Sequence, residues 1–373
     1  MKAIYLGRRP LFLALAFALA AIPASAEPAD LPAQISGSVG NQSGYIGLRE
    51  DIPDELAYDW YSATEASARA ERTGETGRFY AALWTQFDAA SGDWSLSIDE
   101  AWAEWTPEDF FAGKLGRFGV QFGPCLAFNS ANSLVTKDTF DDRANKVGLD
   151  GISLEFRPLL IAKKADSPLS LALTAGVFLP GDASGETAPE AGDIDQAIAH
   201  GRIMLFVPGI GILGPTEFGL AGTIRRMDGS EPESGDRDEG ESARDLGAWI
   251  SADAGGFVLG AEGTVRTEEY GWAFSLNRKI GDYLAIIETR YESEPDAWQG
   301  FAQLSWITED SGVTLNALYD FAVKAARTSL EASRNVTDFL VLEAKASWNY
   351  RPERWTPELL ADYTAGLGFE YFF

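Results

Sequence analysis

The chain ends on YTAGLGFEYFF, Tyr363 to Phe373, and the reading of this stretch decides the fold. Tyr363, Ala365, Leu367, Phe369, Tyr371 and Phe373 alternate with Thr364, Gly366, Gly368, Glu370 and Phe372. That is the two-residue period of an extended strand with one aromatic face and one small or polar face. An untethered terminus gains little from burying apolar groups and is ordinarily polar. This end must be held, either as a half-buried strand of a soluble sandwich or as a strand facing hydrocarbon. The rest of the chain discriminates between the two.

The opposite end, MKAIYLGRRPLFLALAFALAAIPASA, joins a basic start (Lys2, Arg8, Arg9) to an apolar run from Leu11 to Ile22 and then to the small residues Ala24, Ser25 and Ala26. That order predicts a cleaved signal over residues 1–26 and one exported domain over 27–373. The flanks of the Arg8, Arg9 pair match a twin-arginine signal poorly, so the general Sec-type route is expected. After residue 26 no run approaches the roughly 18 apolar residues of a spanning helix. The nearest, Ile203 to Leu213, is broken by Pro208 and two glycines. A β-barrel is the other structure that satisfies its backbone in lipid.

Removing the signal takes away three bases and no acids, leaving 27 Lys plus Arg against 56 Asp plus Glu, a formal charge of −29. Nucleic acid and anionic head groups are poor partners for such a surface. Cys125 is the only cysteine, so no intramolecular disulfide exists, and it reads as a buried thiol.

Period-two segments recur along the whole exported part. In GVTLNALYDFAV, Val313, Leu315, Ala317, Tyr319, Phe321 and Val323 face one way; in VTDFLVLEAKASWNY, Leu340, Leu342, Ala344, Ala346, Trp348 and Tyr350 oppose Glu343, Lys345, Ser347 and Asn349. Such segments are about as long as a tilted strand needs to cross hydrocarbon. Short turns such as TGETG, AGG, KIGD and EDSG contrast with long connections after Gly123, at Gly181–Asp193 and at Asp228–Glu241. Short turns on one rim and long loops on the other mark an outer-membrane barrel. Trp94 and Trp105, Trp298 and Trp306, and Trp348 and Tyr350 sit near the ends of apolar stretches, as rings at a membrane interface do.

The terminal alternation of Leu367, Phe369, Tyr371 and Phe373 resembles the assembly signal of Gram-negative outer-membrane barrels, the porins among them. The resemblance implies an all-β transmembrane antiparallel up-and-down barrel in the outer membrane, with outer-membrane lipid and the insertion machinery as partners. It also admits a homotrimer. A second stretch, Gly113 to Pro158, is similar to barrels in which a Gly-Arg strand feeds a long loop that folds into the lumen. On that likeness Phe118, Val120 and Phe122 face lipid, while Arg117 and Gln121 face the lumen. The loop brings Lys137, Asp138, Asp141, Asp142 and Arg143, and the next strand Glu155 and Arg157. Charges in such positions set ion preference through the local field.

EDIPDE, GDASGETAPEAGD and DGSEPESGDRDEGE contribute four, four and net six negative charges, so about half of the excess lies in loops. On the polar faces of strands, Glu155, Glu217, Glu262, Glu288 and Glu343 are expected to be matched by Arg157, Arg225, Arg266, Arg290 and Lys345. A direct count gives about 17 extended segments. A single-chain barrel with both ends on one side needs an even number, so about 16 strands (14–18) are expected, with one segment miscounted between Ala243 and Glu292.

His200 is the sole histidine, and no CxxC, HExxH or phosphate-binding glycine loop occurs, so no catalysis, cofactor or metal is expected. Two functions remain. The favoured one is a diffusion channel for ions and small polar solutes. The other is a surface adhesin whose acidic loops bind a partner while the barrel anchors them. Phe301 and Phe339 fit either a sugar-stacking slide or packing against an in-folded loop.

Overall fold

A computed structural model describes residues 34–48, 60–89, 92–120, 123–125, 127–128, 149–158, 169–179, 197–209, 212–226, 242–266, 269–294, 296–350 and 361–373. The described chain is almost entirely strand joined by turns and irregular connections, with a helical residue at Pro158. In order the strands are β1 (Gln34–Leu48), β2 (Trp60–Thr73), β3 (Gly77–Asp88), β4 (Trp94–Glu108), β5 (Phe111–Phe118), β6 (Leu149–Phe156), β7 (Ser170–Phe178), β8 (Ile198–Val207) and β9 (Thr216–Arg226). They continue with β10 (Ser242–Ala254), β11 (Phe257–Val265), β12 (Tyr270–Ile280), β13 (Tyr283–Glu292), β14 (Ala297–Ile307), β15 (Ser311–Asp320), β16 (Ala325–Thr337), β17 (Leu340–Tyr350) and β18 (Ala361–Phe372). Each pairs antiparallel with its neighbours in sequence, and β1 pairs with both β2 and β18, which closes the sheet into a barrel.

Eighteen strands replace the expected sixteen. The stretch from Ala243 to Glu292, where a strand was to be struck out, holds four genuine strands, β10 to β13. They fit because their turns are minimal. At Gly255 (φ 63°) and Gly256 (φ 84°) both residues lie in the left-handed region that glycine alone enters without steric cost. Parity could be restored by adding a strand as well as by removing one, and tight turns conceal strands.

The closing seam answers the question posed by the C-terminus. β18 runs beside β1 from Ser38↔Phe372 to Leu48↔Ala361. Beyond the last ladder pair, Phe373 N–H donates to Gly37 O at 3.0 Å and Gly37 N–H donates to Phe373 O at 3.1 Å. The last residue is therefore tied by both of its backbone groups.

Alternation separates two faces. Among the described side chains, every strand except β2 and β5 carries at least one exposed large apolar residue, and Leu367, Leu246 and Ile287 are 73, 66 and 59% exposed. Most of the residues between them are polar, small or buried, with exceptions near strand ends such as Phe206 and Phe372. Glu288, beside Ile287, is 1% exposed, and Ser305, beside Leu304, is 0%. This polar face also holds three buried clusters, each touched by the chain that leaves β5. The longest connections, 119–148, 179–197 and 227–241, all leave one rim. The other rim has mostly two- or three-residue turns, with 157–169 and 208–215 as exceptions. Aromatics gather at both rims: Trp272, Tyr291 and Trp298 touch at the first, Trp105 and Phe111 at the second.

Candidate functional site

The polar face has its densest organisation where the segment following β5 lies on it. Three glutamates hold that segment by its backbone. Glu100 on β4 accepts from Gly119 N–H at 3.0 Å. Glu262 on β11 accepts from Cys125 N–H at 3.2 Å. Glu288 on β13 accepts from Ala127 N–H at 2.8 Å and from Phe128 N–H at 3.3 Å with the same Oε2. A carboxylate makes stronger hydrogen bonds than a neutral acceptor, which suits it to anchoring irregular backbone that pairs with no strand.

Apolar contacts follow the same course. Phe118 joins Trp102, Leu149 and Phe178 in one cluster. Val120 packs against that cluster and against Ala221 and Trp249. Cys125, Ala127 and Phe128 join Ala273, Ile286 and Phe301. Between them the backbone of β11 comes so close to Pro124 that a Cβ at Gly260 would stand 2.8 Å from Pro124 Cβ. From β5, the segment thus reaches β11 to β14, which do not neighbour β5 in the sheet.

Burial raises the Cys125 thiol above its ordinary range, and the carboxylates of Glu262 and Glu288 push it further the same way. A buried, protonated thiol is a poor nucleophile. Maleimide should therefore leave the folded chain unlabelled at neutral pH and label it fully once it is boiled in detergent. Rapid labelling of the folded form would mean that the segment is not seated on Glu262 and Glu288.

Glu155 and Arg157 pair at 2.7 Å, and Arg202, which sequence reasoning did not connect to them, approaches Glu155 at 3.8 Å. Lys345 and Glu343 pair at 3.7 Å as expected. The other matches rearrange. Glu217 accepts from Trp249 Nε1, Arg266 meets Glu269 and Arg290 meets Glu292, while the Arg225 side chain lies outside the described residues. Gln121, Phe122, Lys137, Asp138, Asp141, Asp142 and Arg143 also lie outside them.

Arg117 and Phe118 exchange the faces assigned to them. Arg117 forms a two-pronged ion pair with Asp150, Nε to Oδ1 at 3.0 Å and Nη2 to Oδ2 at 2.6 Å. Asp150 alternates in phase with Ile152, Leu154 and Phe156 on the apolar side of β6. Phe118 and Val120 instead turn to the polar side, where Lys114 Nζ stands 3.7 Å from the Trp102 ring centroid and 4.9 Å from that of Phe118. The reason is local. At the end of β5 the apolar side chains find a cluster of their own and no longer need the outer face.

Phe301 is 5% exposed and meets Phe128 edge to face, so packing against the crossing segment accounts for it; Phe339 is exposed in the β16–β17 turn. His200 is buried edge-on to Phe178.

The sequence matches no protein-family model and no curated protein. Solved structures do match in shape. The Escherichia coli outer-membrane protein Wzi, which is involved in group 1 capsule assembly and is a carbohydrate-binding β-barrel, aligns with a TM-score of 0.56 at 11% identity over 90% of this chain and 83% of its own. OccD3 (OpdP) of Pseudomonas aeruginosa aligns with a TM-score of 0.51 at 11% identity over 91% of both chains. This chain shares their barrel fold. Identities this low carry the likeness no further than architecture.

Proposed function

We propose that the chain is a passive diffusion channel of a Gram-negative-type outer membrane, passing ions and small polar solutes without chemistry. The observation that carries the reading is the division of one closed sheet into an open apolar face and a polar face that bears the crossing segment. Exposing so much apolar surface to water is unfavourable by about 25 cal/mol for each Å², and hydrocarbon around the barrel removes that cost. Turning the polar face outward instead would cost about 2–4 kcal/mol for each Arg or Lys at mid-depth. Barrels of this strand number enclose water. The aromatic rims suit the two membrane interfaces.

On this reading the segment after β5 crosses the lumen and narrows it, and Lys137, Asp138, Asp141, Asp142 and Arg143 in its continuation add charge to the passage. Residues 1–26 are the export signal and 27–373 the single barrel domain. The rim with the longest connections faces outside the cell. Leu367, Phe369, Tyr371 and Phe373 are read by the insertion machinery, and three copies associate.

The test is direct. The purified chain folded in detergent should migrate differently on gels before and after boiling, and in planar bilayers it should carry stepwise ohmic current. A fold that is stable in plain buffer without detergent would overturn the membrane placement. A heat-modifiable barrel that never opens would favour the adhesin.

A further inference from the structure

The polar faces of β14 to β18 carry a single line of neutral hydrogen-bonding side chains. Gln303 stands in register with Asn316, Asn316 with Ser329, Ser329 with Ser347, and Ser347 with Thr364. The line crosses five adjacent strands without a charge. All five side chains are half-buried, so each keeps an accessible part. Asn316 Nδ2 donates to Ser329 Oγ at 3.2 Å, and the Ser347 and Thr364 hydroxyls share a hydrogen bond at 2.7 Å. Asn316 Oδ1 has no partner among the described residues.

What borders the line matters as much as what it holds. The next line towards the short-turn rim sets Glu331 against Lys345. The next line the other way begins with Phe301 and Leu318, which pack against the cluster of Cys125 and Phe128, and continues with Arg327 and Asn349, so charges flank the neutral line on both sides. The neutral line therefore starts beside the seated segment, where the reading above places the narrow part of the channel. A charged wall draws in counter-ions. A neutral solute gains nothing from that field, and on entering a narrow passage it gives up hydrogen bonds to bulk water. Hydroxyls and primary amides both donate and accept, so a continuous line of them replaces those bonds in whatever orientation the solute arrives.

We propose that Gln303, Asn316, Ser329, Ser347 and Thr364 form a weak binding track for neutral polyhydroxylated solutes, sugars and polyols. The inference rests on the channel reading and extends it to a solute class.

The experiment uses the full folded barrel in a planar bilayer, with its current measured first in salt alone. Maltose should then reduce the current saturably, whereas a polyethylene glycol of equal hydrodynamic size should reduce it only in proportion to its concentration. The double variant Asn316→Ala, Ser347→Ala should raise the half-saturating maltose concentration at least fivefold with little change in the sugar-free current. Asn316→Asp, which keeps the side-chain volume and puts a charge in the line, should also raise the half-saturating maltose concentration, relative to its own sugar-free current, and covers failure of the double variant to fold. Ser153→Ala, on the polar face of β6 away from the line, should leave saturation as it was. Maltose acting no differently from the polymer, or saturation surviving in both track variants, overturns the track. A folded barrel that passes no current overturns the channel reading instead. Calorimetric titration of maltose into that barrel then decides the track by itself: heat lost in the variants supports it, and absence of heat in the parent overturns it.

Discussion

If the chain is the diffusion channel proposed above, Glu288→Ala should widen it and make its current noisier while leaving the barrel folded. Glu288 Oε2 accepts from two consecutive backbone N–H groups, those of Ala127 and Phe128. Hydrogen bonds to an ionised partner contribute about 1.5–3 kcal/mol each, and a buried donor left without its acceptor costs a comparable amount. Losing both bonds therefore loosens this part of the segment by several kcal/mol, with the apolar contacts of Ala127 and Phe128 left in place. The ladder of β13 with β12 and β14 is made by backbone groups and stays intact, so heat-modifiable migration should persist. Glu288→Gln keeps a side-chain oxygen and should restore most of the parent conductance. Glu262→Ala adds the loss of the Cys125 contact, so the double variant should open further than either single one. Unchanged single-channel conductance in that double variant would show that the segment does not restrict the passage.

Deleting Phe373 should reduce the amount of assembled barrel in cells severalfold or more, and by more than it lowers yield on refolding in detergent. Two physical effects are separable at this residue. Its backbone closes a reciprocal pair of hydrogen bonds with Gly37 at the seam, worth about 1 kcal/mol each in a folded chain. Its ring lies over Gly37 of β1 and is still 60% exposed, and it stands in phase with Tyr371, Phe369 and Leu367 on the open face, available to a recognising surface. Phe373→Ala keeps the backbone pair and removes the ring. If the terminal strand is read as an address, this substitution should assemble poorly in cells and refold almost normally in detergent. Equal, small losses in both settings would reduce the terminal residue to a closing link.

How far residues can be read without the fold differs between these two sites. The terminal strand is legible because its evidence is local: alternate residues of one short stretch state which side is apolar, and β18 carries that alternation into the seam unchanged. The anchors of the crossing segment are illegible for the opposite reason. Glu288 lies 161 residues from Ala127 and Glu262 lies 137 from Cys125, and neither has a local signature beyond being a polar residue on the polar face of a strand. The same holds for the neutral line on β14 to β18. Each member is an unremarkable Gln, Asn, Ser or Thr until register sets them side by side.

The exchange of Arg117 and Phe118 shows where the alternation rule stops applying. The rule presumes that every apolar side chain in a strand faces the outer medium. Near the rim, Phe118 instead has Trp102, Leu149 and Phe178 to pack against, and Arg117 has Asp150 to pair with directly across the ladder.

By itself the amino-acid sequence determined that this chain forms long strands with one apolar and one polar side and a closing strand at its end, because side-chain direction in a strand follows from position alone. Only the tertiary structure decided that there are eighteen strands, that the chain after β5 is held by Glu100, Glu262 and Glu288, and which polar residues share a height on the wall. Those depend on register and on contacts between residues far apart in the chain. Neither leaves a trace in the spacing of neighbours.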